Sequence, residues 1–328
     1  MKVYEIAKER QVESKEIVAI CAQLGFEVKP QNKLKPEQLE AVKAYFGEGL
    51  EQAAPVMEEK TAEPAVAAEP KMAAQAEEAV VEASSKTIAF IVSECEPFTT
   101  LGDLGTKTIE AVRKTAAAGN SAVIVMPKYS TLNMGTSSME WVMDIPVYVG
   151  GDMHRASIHR LMGHGVTYLF IGNESFFGRE DIYGYSDDLE RFSFFNRAAL
   201  AALPYLNIDI QEIQLNDWHT SIFSLIQKVD YKDHPYYRQV KTVLNINDLT
   251  YQGWYGADIL PNVLGLAYEY YENGLTRMGD SVNLLKSGIE TADMIRLTEK
   301  SQKQIGLAEM VESGISFIVE NKLAQKTA

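Results

Sequence analysis

The chain has 328 residues, of which 46% are hydrophobic and 23% are charged, the composition of a folded protein with room for two or more domains. Its formal net charge of −14 disfavours bulk attraction to nucleic acid or to an anionic membrane surface. No apolar run approaches the length of a membrane span, and the first residues lack the apolar core of a signal peptide. The sequence therefore predicts a cytoplasmic protein without a membrane or nucleic-acid partner.

Residues 1–48 are predicted to form a small module of three short helices. Ser14 caps the second helix, Gly25 ends it, and Pro36 stands in the first turn of the third. The segment contains eight Lys or Arg and eight Glu residues, a balance unlike the basic face of an RNA-binding domain. Residues 49–86 are rich in Ala, Glu and Pro and contain no aromatic residue, which predicts a disordered linker.

Three stretches of this module, Val3 to Glu9, Val12 to Ile17 and Leu24 to Lys29, resemble the small N-terminal domain of bacterial translation initiation factor 2. The resemblance implies a docking module, which in that family faces the ribosome or RNA. The neutral charge balance favours a protein partner for residues 1–48 instead, or a fold reused without its earlier role.

Residues 87–328 are predicted to form the large domain. A continuous apolar strand, Thr87 to Ser93, is followed by a loop, by a helix that buries Ile109, Val112 and Ala116 and ends at Gly119, and by a strand from Ala122 to Met126. This order is that of a Rossmann-like unit with a parallel sheet. The elements predicted after it are a β excursion over 142–149, 154–161 and 167–171, a helix over 191–203, a strand over 208–215, a helix over 221–229, a strand over 240–246 and closing helices over 300–326.

A cluster of polar and aromatic residues follows the strand that ends at Leu215. Asp217, Trp218 and His219 stand in consecutive positions there, where ligands bind in open α/β sheets. A buried tryptophan beside a histidine satisfied by the backbone would give the same pattern. Trp218 is therefore left open between the core and a sugar platform.

The chain shows no spacing typical of a metal site, and no cofactor is predicted. Cys21 and Cys95 each fit an apolar segment, which predicts two buried thiols and no disulfide. His154, His159 and His164 follow one another at five-residue intervals, which on a strand alternates between its faces. Metal binding by these histidines is therefore disfavoured.

Six segments of the large domain resemble bacterial glycogen synthases and plant starch synthases. They are Ser93 to Phe98, Ala122 to Tyr129, Tyr183 to Leu200, Asp217 to Thr220, Asn247 to Gly253 and Leu285 to Asp293. The resemblance implies the Rossmann-like half of a GT-B glycosyltransferase that mainly holds the acceptor glucan, and it places His219 at the position of the family's functional histidine. The candidate cleft residues that follow are Asp187, Asp217, Trp218, His219, Thr220, Tyr251 and Gln252.

The chain departs from this family at the loop that meets the phosphates of the sugar nucleotide. The family sequence Lys-Thr-Gly-Gly-Leu-Gly-Asp here reads Thr100 to Thr106, so that Thr100 replaces the lysine and Asp103 replaces one of the paired glycines. A carboxylate at that position would repel phosphate and block close approach of the backbone. Gly102 and Gly105 are predicted to serve the turn and the packing of the helix. Beside the cluster, Asn216 and Asn247-Asp248 replace His and His-Asn of the family.

These departures favour a non-catalytic starch synthase-like domain that acts as a binding or scaffolding module, with a glucan or a weakly bound sugar nucleotide as its candidate ligands. Only about 35 residues follow Asp293, so no second nucleotide-binding domain is expected. One alternative is a glucosyltransferase acting from sugar nucleotide to glucan and completed by a separate nucleotide-binding chain. Another is a ribosome- or RNA-associated factor that acts through the N-terminal module. The aromatic segment Trp254 to Tyr271 is predicted to be a homo-oligomer or partner interface.

Overall fold

The computed structural model describes residues 21, 34, 35, 38, 85–133, 138–163, 165–307 and 314–325. The chain divides into two compact units, Met1–Ala79 and Val80–Ala328. The predicted three-helix module and linker lie almost entirely outside the described residues, as does His164. Within the described ranges, no helix is long and apolar enough to cross a membrane.

An eight-stranded sheet forms the centre of the second unit. Six of its strands are parallel, and a hairpin of two longer strands extends one edge. The strands of this sheet are β1 (Thr87–Ile91), β2 (Ser121–Pro127), β3 (Glu140–Val149), β4 (Asp152–Gly163), β5 (Val166–Gly172), β6 (Glu212–Asn216), β7 (Lys241–Ile246) and β11 (Met294–Leu297). Their order across the sheet is β11-β7-β6-β1-β2-β5-β4-β3. A separate small sheet contains β8 (Trp254–Tyr255), β9 (Arg277–Met278) and β10 (Ser281–Asn283).

Helices pack on both faces of the large sheet, as expected for a mainly parallel sheet. The helices in the described part of this unit are α1 (Leu104–Ala117), α2 (Glu174–Phe177), α3 (Asp188–Ala202), α4 (Asp217–Asp230), α5 (Glu269–Glu272), α6 (Leu284–Thr291), α7 (Glu299–Ile305) and α8 (Ile315–Ala324). A 3-10 turn at Leu203–Tyr205 and a π-helical turn at Leu260–Leu264 complete the helical elements there.

The larger core lies on the face of the sheet covered by α3, α4 and α6. Phe192, Phe194 and Phe195 of α3 are fully buried there against alternate side chains of the strands. On the other face, Ile109 and Val112 of α1 cover a smaller core that includes Phe90 and Phe170. From Ile88 to Ile91 the sequence of β1 is apolar, as expected for a strand with both of its faces buried.

The α/β fold class predicted from the sequence is confirmed, and four local predictions are corrected. The first strand ends at Ile91 and not at Ser93, and Ala116 on α1 is exposed and does not join the buried face. The strand predicted from Ile208 begins only at Glu212. The helix predicted to begin at Ser221 begins at Asp217, so the polar cluster forms its first turn.

Candidate ligand-binding cleft

A cleft of about 570 Å³ opens at the carboxyl ends of β1, β6 and β7. In a parallel sheet these ends lie along one edge, so short loops bring distant parts of the chain together there. The lining side chains come from the end of β1, the loop before α1, the loop before α3, the start of α4, the loop after β7 and α7. Those used below are Glu94, Gly102, Asp103, Tyr183, Asp188, Asp217, Trp218, His219, Asn247, Asp248, Tyr251 and Lys300.

Asp217 is the first residue of α4 and adopts a left-handed backbone conformation with a φ of 53°. Its carboxylate Oδ1 accepts hydrogen bonds from the backbone N–H of Asn247 at 2.6 Å and of Asp248 at 3.2 Å. These bonds tie the end of β6 to the end of β7. Burial raises the pKa of Asp217 to about 6, against the opposing effect of the two amides. Asp217 is therefore a carboxyl group that titrates near neutral pH.

His219 lies in the first turn of the same helix among aromatic rings. Its ring centre is 4.2 Å from that of Trp218, 4.7 Å from that of Tyr183 and 4.7 Å from that of Phe192. Burial, assisted by the nearby Arg191 charge, lowers the pKa of His219 to about 3. The imidazole is therefore neutral at pH 7. Its Nδ1 is buried without a hydrogen-bond partner among the described residues.

Two further aromatic side chains border the cleft with very different exposure. Trp218 is 8% exposed and packs against Phe192 and Tyr255, so it belongs to the core and also lines the cleft. Tyr251 is 72% exposed at the rim. An exposed ring beside polar groups is suited to lie against the apolar face of a sugar ring.

Buried polar contacts fix the wall opposite α4. The Tyr183 hydroxyl donates to the Glu94 carboxylate at 2.8 Å, and Asp188 pairs with the guanidinium of Arg191, which is fully buried. Arg191 also donates to the backbone carbonyls of Phe176 and Ile182. The position of Asp188 in the cleft therefore depends on a cation beneath it.

Carboxylates of the protein itself bind hydrogen-bond donors in and beside the loop before α1. The backbone N–H of Leu101 donates to Glu94 at 2.6 Å, and Lys107 pairs with Asp103 at 2.5 Å. Gly102 lines the cleft with open space around it. A Cβ on Gly105 would lie 2.6 Å from the Thr100 hydroxyl, so Gly105 permits close packing of the loop on the helix.

The ammonium of Lys300 enters the cleft from α7, which Thr298 caps by accepting from the Ser301 N–H. Lys300 donates to Asp248 at 2.6 Å, and Gln304 donates to the same carboxylate. Burial alone would raise the pKa of Asp248, but these hydrogen bonds outweigh it and hold the pKa below its ordinary value. The cleft thus contains a carboxylate–ammonium pair at its rim.

The structure brings together only some of the residues predicted from the sequence. Asp217, Trp218, His219, Tyr251, Gly102 and Asp103 line the cleft, whereas Asp187, Thr220 and Gln252 do not appear in its lining. Asp187 forms a two-oxygen pair with Arg179, Thr220 hydrogen-bonds to the backbone of Asn216, and Gln252 is buried against Asn283. Contact of any of these residues with a ligand stays a prediction.

Four charged lining residues were absent from the predicted set: Glu94, Asp188, Asp248 and Lys300. Three of them, Glu94, Asp188 and Asp248, lie in segments that resemble the starch synthase family. Their position in those segments could have indicated that they line the cleft. Lys300 comes from the far end of the domain, and no local pattern marks it.

The predicted aromatic interface is less exposed in the structure than expected. Trp254 and Tyr268 are about half exposed, but Tyr255, Tyr270 and Tyr271 pack against the core, which reduces the predicted aromatic interface. Among the described residues, no group of three His, Cys, Asp or Glu side chains could hold a metal ion. His154 packs against Phe176.

The mainly parallel sheet with helices on both faces, and the cleft at its strand ends, place the large domain in the class of the Rossmann-like half of a GT-B fold. Residues 87–310, more than half of the chain, match the model of the starch synthase catalytic domain, and the chain belongs to that family. Residues 1–49 match the N-terminal region of translation initiation factor IF-2. Both resemblances inferred from the sequence are confirmed.

Curated relatives include two bacterial glycogen synthases. The enzyme of Bacillus subtilis strain 168 is 34% identical over 209 residues, which cover 63% of this chain and 43% of that protein. The enzyme of Clostridium kluyveri is 35% identical over 215 residues, covering 65% and 45% respectively. The chain therefore spans less than half the length of these relatives.

Among solved structures, the catalytic domain of starch synthase IV from Arabidopsis thaliana, bound to ADP and acarbose, aligns with a TM-score of 0.64. The alignment covers 72% of this chain and 50% of that chain at 23% identity. At this identity the likeness shows the fold alone.

Proposed function

We propose that the large domain binds an α-glucan in the cleft and does not itself transfer glucose. The proposal is based on one observation. The backbone amide and the two lysines that could bind a phosphate are already bound by carboxylates of the protein itself. Glu94 holds the Leu101 amide, Asp103 holds Lys107, and Asp248 holds Lys300. Transfer from a sugar nucleotide requires cations free to stabilise the leaving diphosphate.

Electrostatics make the cleft a poor phosphate site and an acceptable sugar site. Two like unit charges 4 Å apart repel by about 1 kcal/mol in water and about 4 kcal/mol near a protein surface. A diphosphate beside Asp103 would meet that repulsion. Sugar hydroxyls are neutral and donate hydrogen bonds to carboxylates, while the Tyr251 ring offers an apolar face.

Calorimetry with maltoheptaose, ADP and ADP-glucose, with glucose transfer assayed in parallel, tests the proposal. We expect maltoheptaose to bind and both nucleotides to give no heat. We expect Tyr251→Ala to weaken maltoheptaose binding about fivefold to tenfold, because the ring contact contributes about 1 kcal/mol or slightly more. Tyr205→Ala is the matched control, since Tyr205 is 70% exposed outside the cleft. Transfer by the purified chain, or equal loss in both variants, would contradict the proposal.

A gain-of-binding variant tests the phosphate argument separately. We expect Thr100→Lys with Asp103→Gly to raise affinity for ADP at least tenfold over the wild type, because it adds one cation and releases Lys107 from its carboxylate. Asp152→Lys, which changes the net charge by the same two units at an exposed position at the start of β4, is the control for net charge. Unchanged ADP affinity in the double variant would show that the loop is not what excludes phosphate.

Glucosyl transfer together with a separate nucleotide-binding chain is the second candidate function, and one observation favours it. Asp217 keeps a left-handed backbone conformation that is uncommon outside glycine, and such conformations cluster at functional sites. Glucose transfer that appears only after a nucleotide-binding glycosyltransferase chain is added would support this candidate over the first.

The match of residues 1–49 to an initiation-factor domain supports a role for that module in docking the domain to a protein partner. A pull-down with residues 1–48 as bait, compared with the full chain, would test this proposal. Capture of the same protein by both is the expected result.

A further inference from the structure

The face of the large sheet beneath α1 is apolar at β1 and polar at the neighbouring strand β6. On this face β1 presents Ile88 and Phe90, and β2 and β5 present further apolar side chains of the smaller core. Ile213 and Leu215 of β6 point into the larger core, so Gln214 and Asn216 point to the face beneath α1. Gln214 lies directly beside Phe90 in the parallel register.

Polar side chains here are unexpected because β6 is an interior strand between β1 and β7. Interior strands of parallel sheets are ordinarily apolar on both faces. β7 continues the polar face with Asn245, which lies opposite Asn216, and Asn247 follows at its end. A row of carboxamides on two central strands is the kind of buried polar feature that calls for an explanation.

These carboxamides line a groove of about 250 Å³ between α1 and the strands. Gln214, Asn216 and Asn247 are each 7% exposed. On the helix side the lining includes Thr108, which is 3% exposed and whose hydroxyl has no hydrogen-bond partner among the described residues. Asn247 lines both this groove and the main cleft.

The carboxamides are only partly satisfied within the protein. Asn245 donates to the Gln214 side chain at 3.2 Å and to the Leu215 carbonyl at 3.1 Å, and Asn247 approaches the Asn216 oxygen at 3.5 Å. The side-chain nitrogen of Asn216 and the side-chain oxygens of Asn245 and Asn247 make no hydrogen bond to any part of the chain that the structure describes. The groove therefore offers both donors and acceptors to a ligand.

We propose that this carboxamide groove is a second sugar subsite that holds one pyranose unit of a glucan. A hydroxyl group both donates and accepts hydrogen bonds, which matches a lining of carboxamides. The charged groups at the groove do not favour an anion, because Lys107 is paired with Asp103 and Glu110 stands one turn from Lys114. The proposal rests on the proposed glucan-binding function, since Asn247 lines both the groove and the main cleft.

Side-chain NH₂ signals in the NMR spectrum of the ¹⁵N-labelled full chain report on the groove directly. We expect glucose to shift the signals of Asn216 and Asn245 and to leave that of Gln227 unchanged. Gln227 is the matched control, a carboxamide on α4 that is 9% exposed and lies away from both cavities. We expect Asn216→Leu to weaken glucose binding at the remaining groove signals at least fivefold, and Gln227→Leu to leave it unchanged.

Each outcome separates the subsite from the main cleft. Groove signals that do not move with glucose overturn the subsite, even if calorimetry shows that maltoheptaose binds. Groove signals that move with inorganic phosphate and not with glucose overturn it too, because the groove would then be an anion site. Movement with glucose while maltoheptaose fails to bind by calorimetry supports the subsite and contradicts the proposed function of the cleft.

Discussion

Replacement of Arg191 by Met is expected to lower the free energy of unfolding of the large domain by about 3–5 kcal/mol, the range for breaking a buried ion pair on one side. Arg191 is fully buried, pairs with Asp188 and donates to the carbonyls of Phe176 and Ile182. Its guanidinium also lies 4.8 Å from the centre of the Tyr185 ring. Met fills similar space but leaves a carboxylate and two carbonyls without their donor.

The same change is expected to weaken glucan binding, because Asp188 lines the cleft and is held there by Arg191. Urea denaturation measures the first effect and calorimetry at low temperature the second. Arg191→Lys should recover only part of the stability, since one ammonium cannot replace the guanidinium fork. Arg113→Met on the exposed side of α1 is the control, expected to change stability by less than about 0.5 kcal/mol. A similar loss in both variants would contradict the role given to Arg191.

The elements that the sequence predicted well are those whose pattern is set by burial alone. After their first residues β1 and β2 are short apolar runs, and both strands lie in the middle of the sheet. The start of α4 was predicted four residues too late, because it depends on hydrogen bonds between a side chain and the backbone. Thr220 accepts from the Asn216 N–H and donates to the Asn216 carbonyl, so the helix extends back to Asp217. Propensity at Asp217 does not reveal such hydrogen bonds.

The cleft residues could be predicted only where the strand end itself supplies them. Asp217, Trp218 and His219 follow β6 directly, and all three line the cleft. Asp187 and Asp188 are adjacent aspartates. Which of them faces the cleft depends on the arginine that pairs with each one, and the sequence does not show that pairing. Arg179 holds Asp187 on the outside, while Arg191 holds Asp188 on the inside.

Lys300 illustrates the limit for residues that are distant in sequence. Its partner Asp248 is 52 positions away, and the pair forms because β11 lies beside β7 and delivers α7 to the same edge. The carboxamide groove could not be predicted from the sequence for the same reason. Its carboxamide side chains come from two separate strands, and they lie side by side only because β6 and β7 pair in parallel register.

Asp217 and His219 are expected to have opposite effects on stability between about pH 4 and pH 6. The pKa of Asp217 rises from its ordinary 3.8 to about 6, so the folded state binds its proton more tightly than the unfolded state does. That contribution is fully present below pH 3.8 and is lost as pH rises through 6. The pKa of His219 falls from 6.5 to about 3, so its contribution is present above pH 6.5 and is lost on acidification towards pH 3.

In a variant that lacks one of the two groups, the pH dependence of the free energy of unfolding should therefore be dominated by the other group. The Asp217→Asn variant can keep the left-handed backbone and both amide hydrogen bonds while losing the buried charge. Relative to the wild type, we expect its free energy of unfolding to be unchanged near pH 4 and higher by about 3 kcal/mol at pH 7. We expect His219→Gln to show the reverse dependence, with a relative gain that grows as pH falls below 6.5.

Urea unfolding of the wild type and both variants at a series of pH values between 4 and 7.5 measures these differences. Taking differences at each pH removes the contribution of the other titrating groups, because they are common to all three proteins. A pH-independent difference for Asp217→Asn would contradict the raised pKa of Asp217, because the carboxyl group would then have the same pKa in the folded and the unfolded chain. The hydrogen bonds from the backbone amides of Asn247 and Asp248 would in that case fully offset the effect of burial.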